Sequence, residues 1–276
     1  MNSFFTKLLA FFLCTSFQAI AQDNTLIKND FRLSTGYENF RILDLNASPL
    51  LYSSNNLLVG LDFERNKKRY LWSLNGELSV GNSQSKKHGV RTAVFPDKPN
   101  LYGEADTTEY ELNPFLSFVR FTFNFSALKQ IGHSGFFVGG KIGNHFNFSG
   151  LGADSWFFNQ LSLQAAVRYQ KEIGINSKIS AELSTSAFSY LLRQPYTLDP
   201  SLPDIGYFKA YLQTGSFFAS PNDFQHFNFN LSYQYSLKNS KNKIGLQYQF
   251  MWMNHSFLEN RNLSAYSNSL SLTYTL

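Results

Sequence analysis

Towards the end of the chain, apolar and polar side chains alternate one by one. Phe227, Phe229, Leu231, Tyr233, Tyr235 and Leu237 are separated by Asn228, Asn230, Ser232, Gln234 and Ser236. Neighbouring side chains on a strand point to opposite faces, so this segment is a strand with one apolar and one polar face. The pattern recurs in Ile244, Leu246, Tyr248, Phe250 and Trp252 against Gly245, Gln247 and Gln249. It recurs again in Leu270, Leu272, Tyr274 and Leu276 against Ser269, Ser271, Thr273 and Thr275. Extended along the chain, it predicts strands over Asp30–Phe40, Asn56–Glu64, Arg69–Gly81, Thr108–Ser126, Gly135–Phe148, Trp156–Lys171, Lys178–Leu191, Phe224–Leu237, Lys243–Asn254 and Ala265–Leu276. That makes ten, with twelve as the alternative.

Three features assign these strands to a membrane barrel rather than a soluble sandwich. The segments run to about ten residues or more, enough to cross a bilayer at a tilt near 45°. Their polar faces carry Gln, Asn and Ser, as a lumen does. The connections alternate between short and long, as in outer-membrane barrels. The short ones, Arg65–Lys68, Leu128–Ser134, Glu172–Ser177 and Lys238–Asn242, are expected on the periplasmic side. The long ones, Arg41–Asn55, Asn82–Thr107, Ser149–Ser155, Leu192–Asp223 and His255–Ser264, are expected outside. An even strand number returns both termini to the periplasm. Closure leaves no sheet edge facing hydrocarbon, which offers no hydrogen bonds. The predicted fold is therefore all-β, a transmembrane antiparallel up-and-down β-barrel. Pro96, Pro99, Pro195, Pro200 and Pro203 fall in the two longest loops, where no ladder hydrogen bond is needed. Pro114 is expected to mark a bulge near the outer rim.

The amino terminus reads differently. Lys7 precedes the apolar run Leu8–Cys14, and Ala19-Ile20-Ala21 makes a small-x-small cleavage site before Gln22. Residues 1–21 are expected to be a secretory signal peptide, and 22–276 the barrel domain. Cys14 is the one cysteine, so cleavage leaves no thiol for a disulfide, a metal or a nucleophile. With 29 Phe and 15 Tyr the chain is 17% aromatic, which fits interfacial girdles. A mean hydropathy of −0.24 matches soluble proteins, but a barrel averages lipid-facing with lumen-facing residues. The formal charge of +5 does not point to nucleic acid, because the basic residues lie in short turns rather than along one groove or helix.

Through Ala19-Ile20-Ala21 and the terminal strand Leu270-Ser271-Leu272-Thr273-Tyr274-Thr275-Leu276, the chain resembles the bacterial outer-membrane β-barrel superfamily. Its richness in Asn, Phe, Tyr and Lys is similar to that of Bacteroidota barrels. The resemblance implies a Gram-negative outer membrane, outer-membrane lipid around the wall, and the barrel assembly machinery as a partner in biogenesis. In that superfamily the last strand usually ends in an aromatic; here position 276 is Leu and Tyr274 keeps the aromatic two residues earlier. The likeness is architectural and transfers no activity.

Candidate chemistry is sparse. Barrel phospholipases and deacylases are similar in carrying His-x-Ser on one strand face, because residues i and i+2 share a face. His145-Phe146-Asn147 has Asn where Ser is needed, and His133-Ser134 and His255-Ser256 are adjacent residues. Outer-membrane aspartic-type proteases need paired acids and a His-Asp couple, and Asp199, Asp204, Asp223 and His226 show no such spacing. His88, His133, His145, His226 and His255 never fall two to a strand face, so no metal, cofactor or catalytic set is expected.

Alternation instead places Arg32, Glu38, Asp62, Glu64, Glu77, Arg120, Lys141, Arg168 and Glu182 on inward faces. An interior of about 8 strands is just filled by side chains. These charges are therefore expected to form a network that plugs the lumen, with Arg120 and Arg168 pairing with acids such as Glu77 and Glu182. Loop Leu192–Asp223 carries Tyr196, Tyr207, Phe208, Tyr211, Phe217 and Phe218. They are expected to fold over the mouth, to extend strands above the membrane, or to meet a surface ligand or protein partner. The leading expectation is a non-enzymatic outer-membrane barrel with a mostly plugged lumen and structured outer loops for surface structure or recognition. A narrow channel for ions or small solutes is the alternative, and a lipid-modifying enzyme the third.

Overall fold

A computed structural model describes residues 28–45, 51–85, 91–96, 107–112, 116–132, 135–150, 156–193, 213, 215–237, 242–256 and 262–276. The expected signal peptide and loop residues Tyr196, Tyr207, Phe208 and Tyr211 lie outside the described residues. In chain order the strands are β1 (Lys28–Asp44), β2 (Leu51–Lys67), β3 (Tyr70–Ser85), β4 (Arg91–Pro96), β5 (Thr107–Leu112), β6 (Leu116–Ile131) and β7 (Phe136–Ser149). They continue as β8 (Trp156–Ile173), β9 (Ser177–Arg193), β10 (Ser216–Ala219), β11 (Phe224–Ser236), β12 (Lys243–His255) and β13 (Leu263–Thr275).

β1 pairs antiparallel with both β2 and β13, and β8 joins β9, so the sheet closes on itself. β10 and β11 both pair with β9 and act as one wall strand interrupted at Ser220–Asp223. The result is a closed antiparallel barrel of ten wall strands. Each predicted strand has its counterpart in the wall, with one correction. The expected Thr108–Ser126 is two strands: β5 pairs with β4 in a separate ribbon, and β6 alone belongs to the wall. Loop Asn82–Thr107 accordingly contains the end of β3 and all of β4, and Pro96 pairs with Thr107 at the ribbon's last position. β6 also runs on to Ile131, past the expected turn at Leu128. The expected bulge residue Pro114 lies outside the described residues.

Wall strands of 13 to 18 residues are longer than a crossing requires. At about 3.3 Å per residue, 17 residues reach about 56 Å, or roughly 40 Å of height at a 45° tilt. That exceeds the roughly 30 Å hydrocarbon core, so the wall stands clear of the membrane.

The polarity of the wall is inverted relative to a soluble protein. Leu57 and Leu272 are about two-thirds exposed and Leu161, Leu163 and Ile142 about half, while Glu38, Asn56 and Gln160 are fully buried. An apolar exterior around a polar interior suits hydrocarbon as the solvent. Aromatic contacts mark two levels of the exterior. Near the chain termini, Phe136 meets Tyr169 at 4.7 Å and Trp72 meets Phe125 at 5.8 Å. Near the long connections, Phe146 meets Phe157 at 5.1 Å, and the Arg41 guanidinium lies 5.5 Å from the Tyr266 ring. Outward asparagines between these levels satisfy each other: Asn39 donates to Asn55 at 2.7 Å and Asn144 to Asn159 at 2.9 Å.

Candidate functional site

Inward side chains fill the lumen in layers. At the mouth near the long connections, Asp44 at the end of β1 reaches across the barrel. It accepts from Trp156 Nε1 on β8 at 2.9 Å and pairs with Arg193 on β9. Arg193 also lies 2.9 Å from His255 Nδ1 on β12, so four strand ends are tied over the opening. Sequence reading assigned no role to this set, because its members are 112 and 149 residues apart in the chain.

Below the clasp lies an apolar layer that the alternation also did not announce. Phe40, Phe118, Phe158, Leu191, Phe224 and Met253 are inward and at most 1% exposed. The Phe40 and Phe118 rings stack at 4.8 Å. On β1, β8, β12 and β13 the inward face changes from polar to apolar towards the mouth, as in Gln247 and Gln249 followed by Met251 and Met253, whereas on β3 and β7 it stays polar with Ser83, Ser85, Asn147 and Ser149. Phe217 of the predicted loop aromatics packs against this layer, whereas Phe218 points outward and meets Tyr190 at 5.1 Å.

The middle of the lumen holds the nine charged residues singled out in the sequence. Their inward faces agree with the alternation, and the expected Arg168–Glu182 pair forms, but the remaining partners differ from expectation. Arg120 binds Glu38 at 2.5 Å rather than Glu77. Glu38 also accepts from Ser79 at 2.5 Å and from Asn56 at 3.0 Å. Glu77 takes amide donors instead, from Gln249 at 2.6 Å and Asn75 at 3.3 Å. Arg168 sits 2.6 Å from Glu64 and only 3.7 Å from Glu182. Glu64 is the hub, also taking Arg32 at 2.6 Å and Lys178 at 3.3 Å. Glu182 binds Lys141 at 3.2 Å, and Asp62 accepts from Asn75 at 2.6 Å. Alternation fixes which face a residue takes, but partner choice depends on strand stagger, which it leaves open.

His145 and His226, from β7 and β11, meet edge to face at 4.8 Å across the interior. Spacing within one strand could not reveal a pair made by two strands. Gln160 Nε2 lies 3.0 Å from His226 Nδ1, and Thr122 Oγ1 lies 3.4 Å from His145 Nδ1. A polar chamber of about 90 Å³ is lined by His145 together with charges that include Arg32, Glu64, Arg120 and Arg168. That is room for a few waters, and Asp62 Oδ2, Asn124 Oδ1 and His145 Nε2, from residues of its lining, are buried without a protein hydrogen-bond partner. Towards the termini, Lys243 grips Asp30 at 2.8 Å, and Leu71, Leu128, Phe137 and Ala166 form a second small apolar cluster.

Among the described residues, no three histidine, cysteine or acidic side chains converge on a metal-sized site. Ser220 Oγ donates to Asp223 at 2.6 Å within one turn. With the Ser220 N–H at 3.2 Å, it holds the Asp223 carboxyl below the usual carboxylate range.

No protein-family model and no curated protein sequence matches this chain. Solved structures similar to it are bacterial outer-membrane barrels. They include the outer membrane protease OmpT from Escherichia coli, 10% identical over 91% of this chain and 96% of that one, with a TM-score of 0.43. An outer membrane channel from Pseudomonas putida F1 is 10% identical over 93% of this chain and 100% of its own, with a TM-score of 0.38. The attachment invasion locus protein Ail of Yersinia pestis is 9% identical over 90% and 99%, with a TM-score of 0.31. A protease, a channel and an attachment protein share only the architecture, so nothing about activity passes to this chain.

Proposed function

We propose that the protein is a non-enzymatic outer-membrane barrel, closed to solute flow, that presents structured loops at the cell surface with both termini in the periplasm. The observation that carries this reading is the layered lumen. Each cation in its middle is paired with an acid, Asp62 and Glu77 are held by side-chain amides, and an apolar layer stands towards either end. An ion following this path would shed water against Phe40, Phe118 and Phe158 and find no replacement ligands there. The ribbon β4–β5 and the paired β9–β10 segment supply folded structure among the long connections, as a recognition surface requires. Planar-bilayer recording tests the reading. The wild-type barrel should give no steady conductance, and a variant carrying both Phe158→Ala and Met253→Ala should give open events. Steady wild-type conductance would make the protein a narrow channel instead.

A further inference from the structure

We propose that the outer wall carries a binding groove for one anionic diacyl phospholipid, at the end of the barrel where the chain termini lie. The inference rests on the transmembrane reading of the wall but not on the closed lumen. The groove has a volume of about 820 Å³ and is lined chiefly by Leu33, Val59, Ile244, Leu246, Leu272 and Tyr233. That lies within the roughly 300–1,000 Å³ of small-molecule sites. A convex barrel wall has no reason to be hollow unless its inner side chains permit it. Here they do. On the inner side, Gly60 and Gly245 leave no room for a Cβ, which would overlap Ser34 Oγ at one and the Tyr233 carbonyl at the other. Ser34 and Thr273 line the same sector and are equally short. The wall therefore sinks towards the lumen, and its outer surface is left concave. Thr35, short and outward, forms the floor, with Val59 beside it on β2 and Leu272 on β13.

The chemistry of the rim selects the headgroup. Down β2 from Val59, the outward positions end in Arg65 and Lys67, with Lys68 and Arg69 in the turn that follows. Lys68 and Arg69 are exposed, Arg65 and Lys67 are half-buried, and the exposed Lys129 on β6 lies two strands on from β2 at this end of the barrel. On the opposite rim, Asn242 donates to the Tyr274 hydroxyl at 2.5 Å, and the Tyr233 hydroxyl lies 3.0 Å from Ser177 Oγ. Tyrosine at this depth holds its ring in the acyl region and its hydroxyl among headgroups. A phosphate held between the β2 cations and the tyrosine hydroxyls would direct two acyl chains up the groove.

The test uses the full-length barrel, purified in mild detergent and titrated with phosphatidylglycerol or phosphatidylcholine, with retained lipid counted by native mass spectrometry. One phosphatidylglycerol should be retained in preference to phosphatidylcholine, by about fivefold for each cation engaged. Thr35→Phe, which fills the floor without entering the lumen, should abolish retention. Thr185→Phe, outward on β9 and away from the groove, should leave retention intact. Arg65→Gln combined with Lys67→Gln should remove the headgroup preference and keep the acyl contribution. If Thr35→Phe does not fold, Leu272→Trp takes its place. Equal retention of both lipids by the wild type, or the same retention in Thr35→Phe as in Thr185→Phe, overturns the proposal.

Discussion

Glu64→Gln should be the most damaging single substitution in the middle of the lumen. Glu64 Oε2 sits 2.6 Å from both Arg32 Nη2 and Arg168 Nη2, and Oε1 lies 3.3 Å from Lys178 Nζ. The side chains of Arg32 and Arg168 keep 9% and 7% of their exposure, so water cannot replace the lost carboxylate at either. Gln removes the charge and turns one acceptor into an N–H₂ facing a guanidinium. Breaking a buried pair costs about 3–5 kcal/mol. The three cations do not triple that figure, because Arg168 keeps Glu182 at 3.7 Å and Lys178 is the most exposed partner. Arg168→Ala should cost less, about 1–3 kcal/mol, since Glu64 retains two cations. Combining the two changes removes a charge of each sign, and the pair should recover roughly 0.5–3 kcal/mol relative to the sum of the singles. Urea unfolding in lipid vesicles, followed by tryptophan emission, gives the midpoints. A wild-type midpoint for Glu64→Gln, or a larger loss in Arg168→Ala than in Glu64→Gln, would refute the hub.

Because every wall strand is hydrogen-bonded on both sides, the barrel should migrate as a compact species in SDS until boiled; identical mobility in both lanes would contradict closure. Leu231 is outward and 37% exposed while Ser232 is inward and 6% exposed. Leu231→Arg should therefore impair membrane assembly by about 2–4 kcal/mol and Ser232→Arg by less, and equal assembly of the two would show the phase of β11 to be wrong. The Asp223 carboxyl is held below its unfolded value of about 3.9 by Ser220, so its contribution is fully present above that pH and is lost as pH falls through the lower folded value. Hydrogen exchange at the Asp223 and Phe224 amides, both bonded to the Ser220 carbonyl, should speed up over that acid range in the wild type and not in Asp223→Asn. An identical pH profile in the two proteins would remove the Ser220–Asp223 contribution.

Much of the wall was legible in the sequence because a barrel strand writes its two solvents into alternate residues. Leu231 beside Ser232, and Arg32 beside Leu33, state their faces without further context. The expected strand Thr108–Ser126 was misread because the ribbon β4–β5 uses the same period as the wall, and alternation does not say which sheet a strand joins. The apolar mouth was invisible for a related reason. Phe40, Phe118 and Phe158 look like lipid-facing residues until the parity of the whole strand is carried to its end. The Asp44–Arg193 clasp and the His145–His226 contact join strands remote in the chain, so only the closed barrel shows them. Partner choice among the nine charges depends on stagger and side-chain reach, which faces alone do not encode.

Sequence distance also orders events in time. Lys243 and Asp30 are 213 residues apart, Asp44 and Arg193 149, and Arg168 and Glu64 104. None of these contacts exists until β1 has found β13, whose thirteen matched residue pairs from Arg32–Thr275 to Asp44–Leu263 form the closing seam. Closing chain loops of that length must precede any reward from the lumen contacts, so insertion into the bilayer is expected to be slow and steeply cooperative. An open intermediate would carry its charges solvated, and dehydration of the interior would be the final step rather than the driving one. Once that step is complete, the order reverses. Escape from the membrane requires the seam and the ion pairs to yield together, which makes the folded barrel long-lived even where its net stability is modest.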